Sequence, residues 1–207
     1  NVKERTGKSV FFFGEGWDPD GSASAKFEAS TQKTMGGTGI GTFNDRIRDA
    51  VRGVGPFDHA GKTDKDAKDF MLSKKGFATG MCTSADVGTD GKARCGDLGT
   101  DEKVVSSSAN NLFARKRMDW IRVTMAGGIR TYEFTDYQGD KSKGENDGYW
   151  GSPVGYTEEP YETINYVSKH DNATLFDLIT YTSTGGTDMK LQTRQQALGL
   201  ATAMLGQ

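Results

Sequence analysis

Residue types that define many specialised folds are scarce in this sequence. Its 207 residues include only four prolines, two cysteines and two histidines. So little proline excludes a proline-rich disordered tract, and so few cysteines and histidines supply no set of zinc ligands. The longest apolar run is Val10-Phe11-Phe12-Phe13, far below the roughly 18 residues that a membrane helix needs. We therefore expect neither a metal cluster nor a membrane segment in the chain.

An excess of one charge is also missing. Lysine and arginine total 26, aspartate and glutamate total 28, and the net charge is −2. A near-neutral chain carries no electrostatic signal for nucleic acid or for an anionic membrane surface. Glycine, in contrast, is abundant at 28 residues, and its clusters between apolar runs predict many loops on a folded scaffold.

The two cysteines, Cys82 and Cys95, lie in a stretch rich in glycine, aspartate, threonine and serine, with twelve residues between them. A disulfide that closes a loop of this size stabilises a fold by about 3 kcal/mol in the chain-entropy description. Two free thiols in an intracellular loop are the other interpretation. We expect the disulfide, because loop cysteines without neighbouring metal ligands have few other structural uses.

Short apolar segments alternate with helical patterns along the chain. Residues 9–13 are apolar and followed by glycine, and residues 163–168 are β-branched and aromatic, so both are expected to be buried strands. Strands separated by helices and long loops indicate an α/β fold with parallel strands. The remaining expected elements are a helix that starts at Thr42 as its N-cap, the longest helix at 109–126, a short strand at 129–134, and helices at 174–181 and 191–205.

Residues 59–107 are polar and irregular, which predicts a long loop insertion within one domain that spans 1–207. Acidic side chains in this insertion, Asp64, Asp66 and Asp69, offer oxygen ligands for calcium, although a solvated loop is the simpler interpretation. No cofactor is required by any motif in the sequence.

The glycine-rich run 36–41 does not fit a nucleotide-binding loop. The third glycine of the dinucleotide fingerprint falls on Thr42, and no acidic residue on a following strand completes the pattern. Gly7-Lys8-Ser9 resembles the end of a phosphate-binding loop, but the required first glycine is Val2. We interpret 36–41 as a connection between a strand and a helix.

Two polar clusters directly follow the two expected buried strands. Glu15 follows the first strand, where neighbouring apolar rings would favour a protonated carboxyl, and Trp17 offers a flat face for a sugar ring. In the second cluster, Asp171 is suited to stabilise positive charge on a sugar ring, and His170 to donate a hydrogen bond to a sugar hydroxyl. Taken singly, a surface glutamate in a turn and an aspartate that caps the next helix explain the same residues.

The two clusters are more informative together. Each places a carboxylate at the C-terminal end of an expected parallel strand, Glu15 after 9–13 and Asp171 after 163–168. Active sites of (β/α)₈ barrels lie at that end of the strands, with catalytic residues supplied by different strands. The pattern therefore favours part of such a barrel.

The sequence resembles the pullulanases, which are α-1,6-glucosidases of the α-amylase superfamily. The resemblance covers nearly the whole chain and is weakest in the insertion 59–107. The matching segments are Phe12-Phe13-Gly14-Glu15-Gly16-Trp17, residues 37–46 and 48–53, Tyr166, Val167-Ser168-Lys169-His170-Asp171-Asn172 and Met204-Leu205-Gly206-Gln207.

This resemblance implies a retaining mechanism in which Glu15 protonates the leaving oxygen and then activates water. It implies that Asp171 supports an oxocarbenium-like transition state. It also implies that His170 and Asn172 bind the sugar at the cleavage subsite and that Trp17 lines the aglycone side. The implied substrate is an α-glucan polysaccharide or a branched maltooligosaccharide.

The chain departs from the pullulanase pattern in one respect. The aspartate nucleophile of the family lies on a strand upstream of the glutamate strand, and only eight residues precede the expected strand here. We therefore expect the C-terminal part of a (β/α)₈ barrel, covering roughly strands 5 to 7, with the rest of the barrel as its partner. We expect the isolated chain to be inactive and poorly folded, because large apolar faces and sheet edges would be uncovered.

Two other functions are compatible with the same residues. One is a related α-glucan hydrolase that acts on α-1,4 bonds or has mixed specificity. The other is a non-catalytic glucan-binding relic of a barrel, although such a relic has no need to retain both Glu15 and Asp171. A polymeric substrate and the expected disulfide favour a secreted, cell-surface or periplasmic protein.

Overall fold

The computed structural model describes residues 7–18, 21, 28–53, 63, 75–79, 112–182 and 188–207. Within them the strands are β1 Phe13–Gly14, β2 Gly41–Asn44, β3 Glu133–Thr135, β4 Lys141–Lys143, β5 Gly148–Tyr149, β6 Ser152–Pro153 and β7 Thr163–Asn165. The helices are α1 Gln32–Met35, α2 Asp45–Arg52, α3 Leu112–Met125, α4 Leu175–Thr182 and α5 Met189–Leu205.

The central feature is a three-stranded parallel sheet in the order β1-β2-β7. Phe13 pairs with Gly41, and Thr42 pairs with Thr163, so all three strands end on the same side of the sheet. Two short antiparallel pairs, β3-β4 and β5-β6, lie outside it. The expected α/β fold with parallel strands is confirmed. Over the residues that the structure describes, the sheet is open and does not close into a barrel.

The first strand differs from its prediction as a fully buried element. It is limited to Phe13–Gly14, and the side chains of Phe12 and Phe13 are 59% and 60% exposed. The reason is its place in the sheet: β1 is an edge strand that pairs only with β2 among the described elements. An apolar run shows that a segment can be buried, but the neighbouring elements decide whether it is.

The N-terminal cap of α2 also differs from its prediction. Thr42 lies within β2, paired with strands on both sides, and the helix begins at Asp45. Its N-cap is Asn44, whose Oδ1 accepts a hydrogen bond from the backbone N–H of Ile47 at 3.3 Å. Gly53 ends the helix in a left-handed conformation with φ 98°, which glycine adopts readily.

The hydrophobic core is formed mainly by side chains of helices α2, α3 and α4. Residues 75–79, part of the predicted insertion, dock against the end of α2 through a hydrogen bond from the N–H of Ala78 to the carbonyl of Val51. The core side chains are Ile47, Ala50, Val51, Ala78, Trp120, Ile121, Val123, Tyr149, Val154, Val167, Leu175 and Ile179.

Most other predicted elements are present with altered bounds. The helices at 174–181 and 191–205 and the strand at 163–168 correspond to α4, α5 and β7. The helix expected at 109–126 corresponds to α3, Leu112–Met125, and residues 109–111 lie outside the described part of the chain. None of the described helices is both long and apolar enough to cross a membrane. Cys82, Cys95, Asp64, Asp66, Asp69 and most of 59–107 lie outside the described residues.

Candidate functional site

The strand ends of the parallel sheet bring the two predicted clusters together. Glu15 follows β1 directly, and the loop 168–172 follows β7. Between them, Asn44 at the end of β2 donates a side-chain hydrogen bond to Asn165 at the end of β7, at 2.9 Å. This amide pair holds two adjacent strand ends together beneath the clusters.

Lys169 links the two carboxylates that the sequence singled out. Its Nζ lies 2.5 Å from Oε1 of Glu15 and 2.7 Å from Oδ2 of Asp171. The lysine side chain is only 10% exposed, whereas the Glu15 side chain is 54% exposed. A largely buried cation thus presents two carboxylates at an open surface.

Aromatic rings surround the linking lysine. Its Nζ lies 5.1 Å from the ring centroids of both Trp17 and Phe43, within the range of cation–π attraction. The indole Nε1 of Trp17 donates a hydrogen bond to Oε2 of Glu15 at 3.1 Å. Both carboxyl oxygens of Glu15 therefore accept a hydrogen bond, one from Lys169 and one from Trp17.

The charges within this group shift each other's proton affinity. The hydrogen bond from Lys169 lowers the pKa of Asp171. Burial alone would lower the pKa of Lys169, but the hydrogen bonds to Asp171 and Glu15 outweigh it, and its pKa is raised. Lys169 and Asp171 thus stabilise each other in their charged forms.

The other two predicted residues lie differently. The His170 side chain is 86% exposed, and its Nε2 lies 3.0 Å from Oδ1 of Asp171, at the outer side of the carboxylates. Asn172 turns inward: its Oδ1 is buried and has no hydrogen-bond partner among the residues that the structure describes. His170 is thus exposed beside Asp171, and the expected roles of His170 and Asn172 in binding sugar stay predictions.

A second group of polar side chains lies beneath the site on α2. Arg48 donates to Asp49 at 2.6 Å and to the hydroxyl of Tyr166 at 2.7 Å, and Tyr149 donates to the other oxygen of Asp49 at 2.6 Å. Burial alone lowers the pKa of Arg48, but the charge of Asp49 and its hydrogen bond to Arg48 raise this pKa by more. The pKa of Arg48 therefore lies above its usual value, and the guanidinium stays charged. Burial raises the pKa of Asp49 against the opposing effects of Arg48 and Tyr149. The ring of Tyr166 packs on Phe43, with centroids 5.4 Å apart, which connects this group to the site.

A cleft of about 630 Å³ adjoins the site at Trp17. Its walls combine aromatic and polar side chains, which is the usual character of small-molecule sites. The side chains lining it include those of Trp17, Gln32, Arg46, Arg130, Glu145, Pro153 and Tyr156.

The described residues form no group of metal ligands, and the sequence alone assigned no role to Lys169. In the described part of the chain, no three or more histidine, cysteine, aspartate or glutamate side chains group as metal ligands. Lys169 directly precedes His170 and Asp171, which have predicted roles, but had none of its own. Its position within the same five-residue cluster as Asp171 was the available signal, since an opposite charge next to a candidate catalytic carboxylate tunes it.

Comparison with known sequences gives a consistent set of relatives, although no protein-family profile matches the chain. The chain is 39% identical over 198 residues, 96% of its length, to the pullulanase of Klebsiella aerogenes. It is 35% identical over 175 residues, 84% of its length, to the chloroplastic pullulanase 1 of Arabidopsis thaliana. It spans only 16% and 15% of the lengths of these two proteins.

Comparison with solved structures gives the same group of proteins. The whole chain aligns with 17% of the crystal structure of PulA from Klebsiella oxytoca, with a TM-score of 0.77 and 37% sequence identity. It aligns equally well with 19% of a maltotriose complex of PulA from Klebsiella pneumoniae, with a TM-score of 0.77 and 37% identity. Similarity in sequence and similarity in structure therefore lead to the same group of proteins.

Proposed function

We propose that this chain, which is related to the pullulanases by sequence and by fold, is part of an enzyme that hydrolyses α-1,6-glucosidic bonds in pullulan, starch or glycogen. The observation that carries the proposal is the pair of carboxylates, Glu15 and Asp171, held by Lys169 at the ends of two parallel strands. A site of this composition suits a neutral sugar, because carboxylates and an exposed histidine bind hydroxyls.

In the proposed reaction, Glu15 protonates the glycosidic oxygen while an aspartate nucleophile from the rest of the barrel bonds to the sugar carbon and the glycosidic bond breaks. Glu15, now a carboxylate, then takes a proton from the water that displaces the sugar from that aspartate. Asp171 supports the positive charge that develops on the sugar ring. In the structure, both oxygens of Glu15 accept hydrogen bonds, which is the form suited to the second step. For the first step, Lys169 or Trp17 has to release one of these oxygens.

Trp17 and the adjoining cleft extend the site in one direction, and they fit the glucan on the leaving-group side. The flat indole can stack on a sugar ring, while its N–H orients the carboxyl of Glu15. Solved structures of Klebsiella pneumoniae pullulanase include maltotriose complexes. A maltooligosaccharide is accordingly the ligand class that we propose for the cleft.

We further propose that the sheet is part of a (β/α)₈ barrel. Supporting this, the three strands are parallel, helices α2 and α4 follow β2 and β7, and the carboxylates lie at the strand ends. In the part of the chain that the structure describes, the contacts bring only two carboxylates to Lys169. Because the retaining mechanism of the family also uses an aspartate nucleophile, we expect the 207 residues alone to be inactive.

The location and the disulfide remain part of the proposal. A polymeric glucan does not cross a membrane, so a secreted, cell-surface or periplasmic enzyme fits the substrate. A disulfide between Cys82 and Cys95 would suit such a compartment. Calcium bound by acidic side chains of the insertion 59–107 is a further proposal, tested by thermal unfolding with and without a chelator.

An α-1,4-acting or mixed-specificity hydrolase and a glucan-binding relic are the two competing functions. The first would release reducing ends from amylose as well as from pullulan. The second would bind maltotriose without turnover. The presence of both Glu15 and Asp171 in one ion-paired group favours an enzyme over a relic.

The decisive experiment measures reducing ends released from pullulan. We would compare this chain alone with a longer protein in which the N-terminal half of a pullulanase-type barrel precedes it, each with and without Glu15→Gln. Activity only in the longer protein, lost in Glu15→Gln and retained in the surface control Glu133→Gln, is the expected result. No activity in a well-folded longer protein would rule out the proposed hydrolysis. Activity of the short chain would show that it contains its own nucleophile.

A further inference from the structure

Helix α2 carries two arginines one turn apart that reach the segment bearing the candidate site. Arg52 is 1% exposed, and its guanidinium donates to the carbonyl of Val167 at 3.3 Å and to the carbonyl of Ala173 at 2.6 Å. These two carbonyls lie immediately before and after the loop 168–172. One side chain, more than a hundred residues away in sequence, thus holds both ends of that loop.

The second arginine acts on the same segment one residue earlier. Arg48 donates to the hydroxyl of Tyr166 and is itself held by Asp49. Tyr166 is directly followed by Val167. The two arginines therefore bind the chain at three points around the loop: the hydroxyl of Tyr166 and the carbonyls of Val167 and Ala173. A further bond, from the N–H of Leu175 to the hydroxyl of Ser168 at 2.9 Å, closes the loop from within.

From this arrangement we infer that Arg52, assisted by Arg48, is a positioning residue that fixes the loop 168–172 and thereby the places of Lys169 and Asp171 opposite Glu15. The inference rests on the proposed function, because it assigns Arg52 a part in the same site. Arg52 does not contact the carboxylates. It acts on them through the backbone of the loop.

Arginine is suited to this task and lysine is not. The planar guanidinium presents several N–H donors in a fixed fork and can bond two carbonyls at once, whereas an ammonium group on a flexible stem cannot span both with the same geometry. Burial, together with the nearby charge of Arg48, lowers the pKa of Arg52 to about 10, so the side chain is still a cation at neutral pH.

The test compares Arg52→Lys with Arg117→Lys. Arg117 is also buried and donates to two backbone carbonyls, those of Lys75 and Gly53, but does not hold the loop. In the full chain, hydrogen exchange of the Leu175 amide, whose N–H donates across the loop to Ser168 Oγ, should accelerate at least about tenfold in Arg52→Lys and stay unchanged in Arg117→Lys. Unchanged exchange in a folded Arg52→Lys chain would overturn the inference.

A second, milder variant covers the case in which Arg52→Lys does not fold. Tyr166→Phe removes the hydroxyl that Arg48 binds and keeps the ring that packs on Phe43. We expect it to accelerate exchange of the Leu175 amide by about threefold to tenfold, without a change in the exchange of α5. Equal acceleration in both regions would indicate general loosening of the fold and contradict positioning.

The kinetic arm uses the longer, barrel-complete protein. Displacement of a catalytic group by about 1 Å costs on the order of 100-fold in rate, so kcat on pullulan should fall about 10- to 100-fold in Arg52→Lys with KM within about twofold. A rise in KM with an unchanged kcat would overturn the catalytic part of the inference. So would an unchanged kcat despite faster exchange in the loop. An inactive unaltered protein would instead refute the proposed function, and the exchange data would still decide whether Arg52 anchors the loop.

Discussion

The ammonium group of Lys169 is shared by two carboxylates, and this sharing determines the charge state of the site. Asp171 has its pKa lowered by the hydrogen bond from Lys169, and the pKa of Lys169 is raised in return, although burial opposes that rise. An acidic group whose pKa is lower in the folded state than in the unfolded state stabilises the folded chain when the pH is above the unfolded-state pKa. That stabilisation is lost as the pH falls through the lowered value.

Replacing the lysine should therefore return Asp171 to ordinary behaviour. In Lys169→Met, we expect the pKa of Asp171 to rise towards the usual aspartate value, since the donor that lowered it is gone. A ¹³C NMR titration of the aspartate carboxyl groups measures this. Lys143→Met serves as the control, because Lys143 pairs with Glu133 on the surface. An Asp171 titration that is the same with and without Lys169 would contradict the assigned cause.

A buried glutamate provides a second prediction at the residue scale. Glu162 is 1% exposed, and its carboxylate accepts hydrogen bonds from the N–H groups of Gly37, Gly39, Glu158 and Glu159. In Glu162→Gln, an amide NH₂ replaces one acceptor oxygen, and the charge that strengthens the remaining bonds is lost. We expect a decrease of about 2–3 kcal/mol in the free energy of unfolding.

Urea denaturation of Glu162→Gln beside the exposed Glu133→Gln measures this difference. A loss in Glu162→Gln no larger than in the surface variant would show that the four N–H groups find other acceptors.

The candidate site residues were predictable where local pattern determines their position. Glu15 and Asp171 each follow a strand, and parallel strands end on one side of a sheet, so their proximity follows from the order of elements. The contact of Lys169 with Glu15 was not predictable, because it joins residues 154 positions apart. The local sequence does not indicate which charged side chains will form an ion pair across that distance.

At the scale of elements, the junction between β2 and α2 shows how strand pairing overrides a helix signal. Thr42 and Asp45 have the spacing of a capping box, yet β2 pairs with β1 as far as Thr42 and with β7 as far as Asn44. The sheet thus shifts the start of the helix to Asp45, and Asn44 becomes both the N-cap and the partner of Asn165. Helix existence was predictable, and its first residue was not.

This double role predicts an unusually large effect for one substitution. Asn44→Ala removes the cap of α2, worth about 1 kcal/mol, and leaves the half-buried amide oxygen of Asn165 without its donor, which costs about 1–3 kcal/mol more. We expect the free energy of unfolding to fall by about 2–4 kcal/mol, measured by urea denaturation. Asn146→Ala, at an exposed position, is the control, and a loss below about 1 kcal/mol in Asn44→Ala would contradict the double role.

At the scale of the whole molecule, the described structure exposes apolar side chains in several places, including the edge strand and the end of α5. The edge strand and the residues before it expose Phe12 and Phe13, while the C-terminal turn of α5 exposes Met204 at 80% and Leu205 at 73%. Exposed apolar groups and an unpaired strand edge promote association between chains. Uncovered apolar faces and sheet edges were expected from the sequence, because a chain that carries only part of a barrel cannot cover them.

Introducing charge at one of these places should reduce association without weakening the fold. We expect Met204→Lys combined with Leu205→Lys to lower the fraction of self-associated chain in sedimentation velocity. The free energy of unfolding should change by less than about 0.5 kcal/mol, since both side chains face solvent. Thr193→Lys, on an exposed and more polar part of α5, controls for the added charge. Equal association in all three chains would show that this helix end is not the contact.

The bond between Glu15 and Lys169 also has a consequence for the order of folding. Closing a loop of 154 residues costs chain entropy that only a nearly complete core repays. Helices such as α5 can form from neighbouring residues, but the cluster cannot assemble until β1, β2 and β7 have paired. Because Lys169 arrives over the ring of Trp17, the arrival of the last long-range contact should be visible in the emission of that tryptophan. The emission of Trp17 thus indicates when the parallel sheet has formed and Lys169 has reached Glu15.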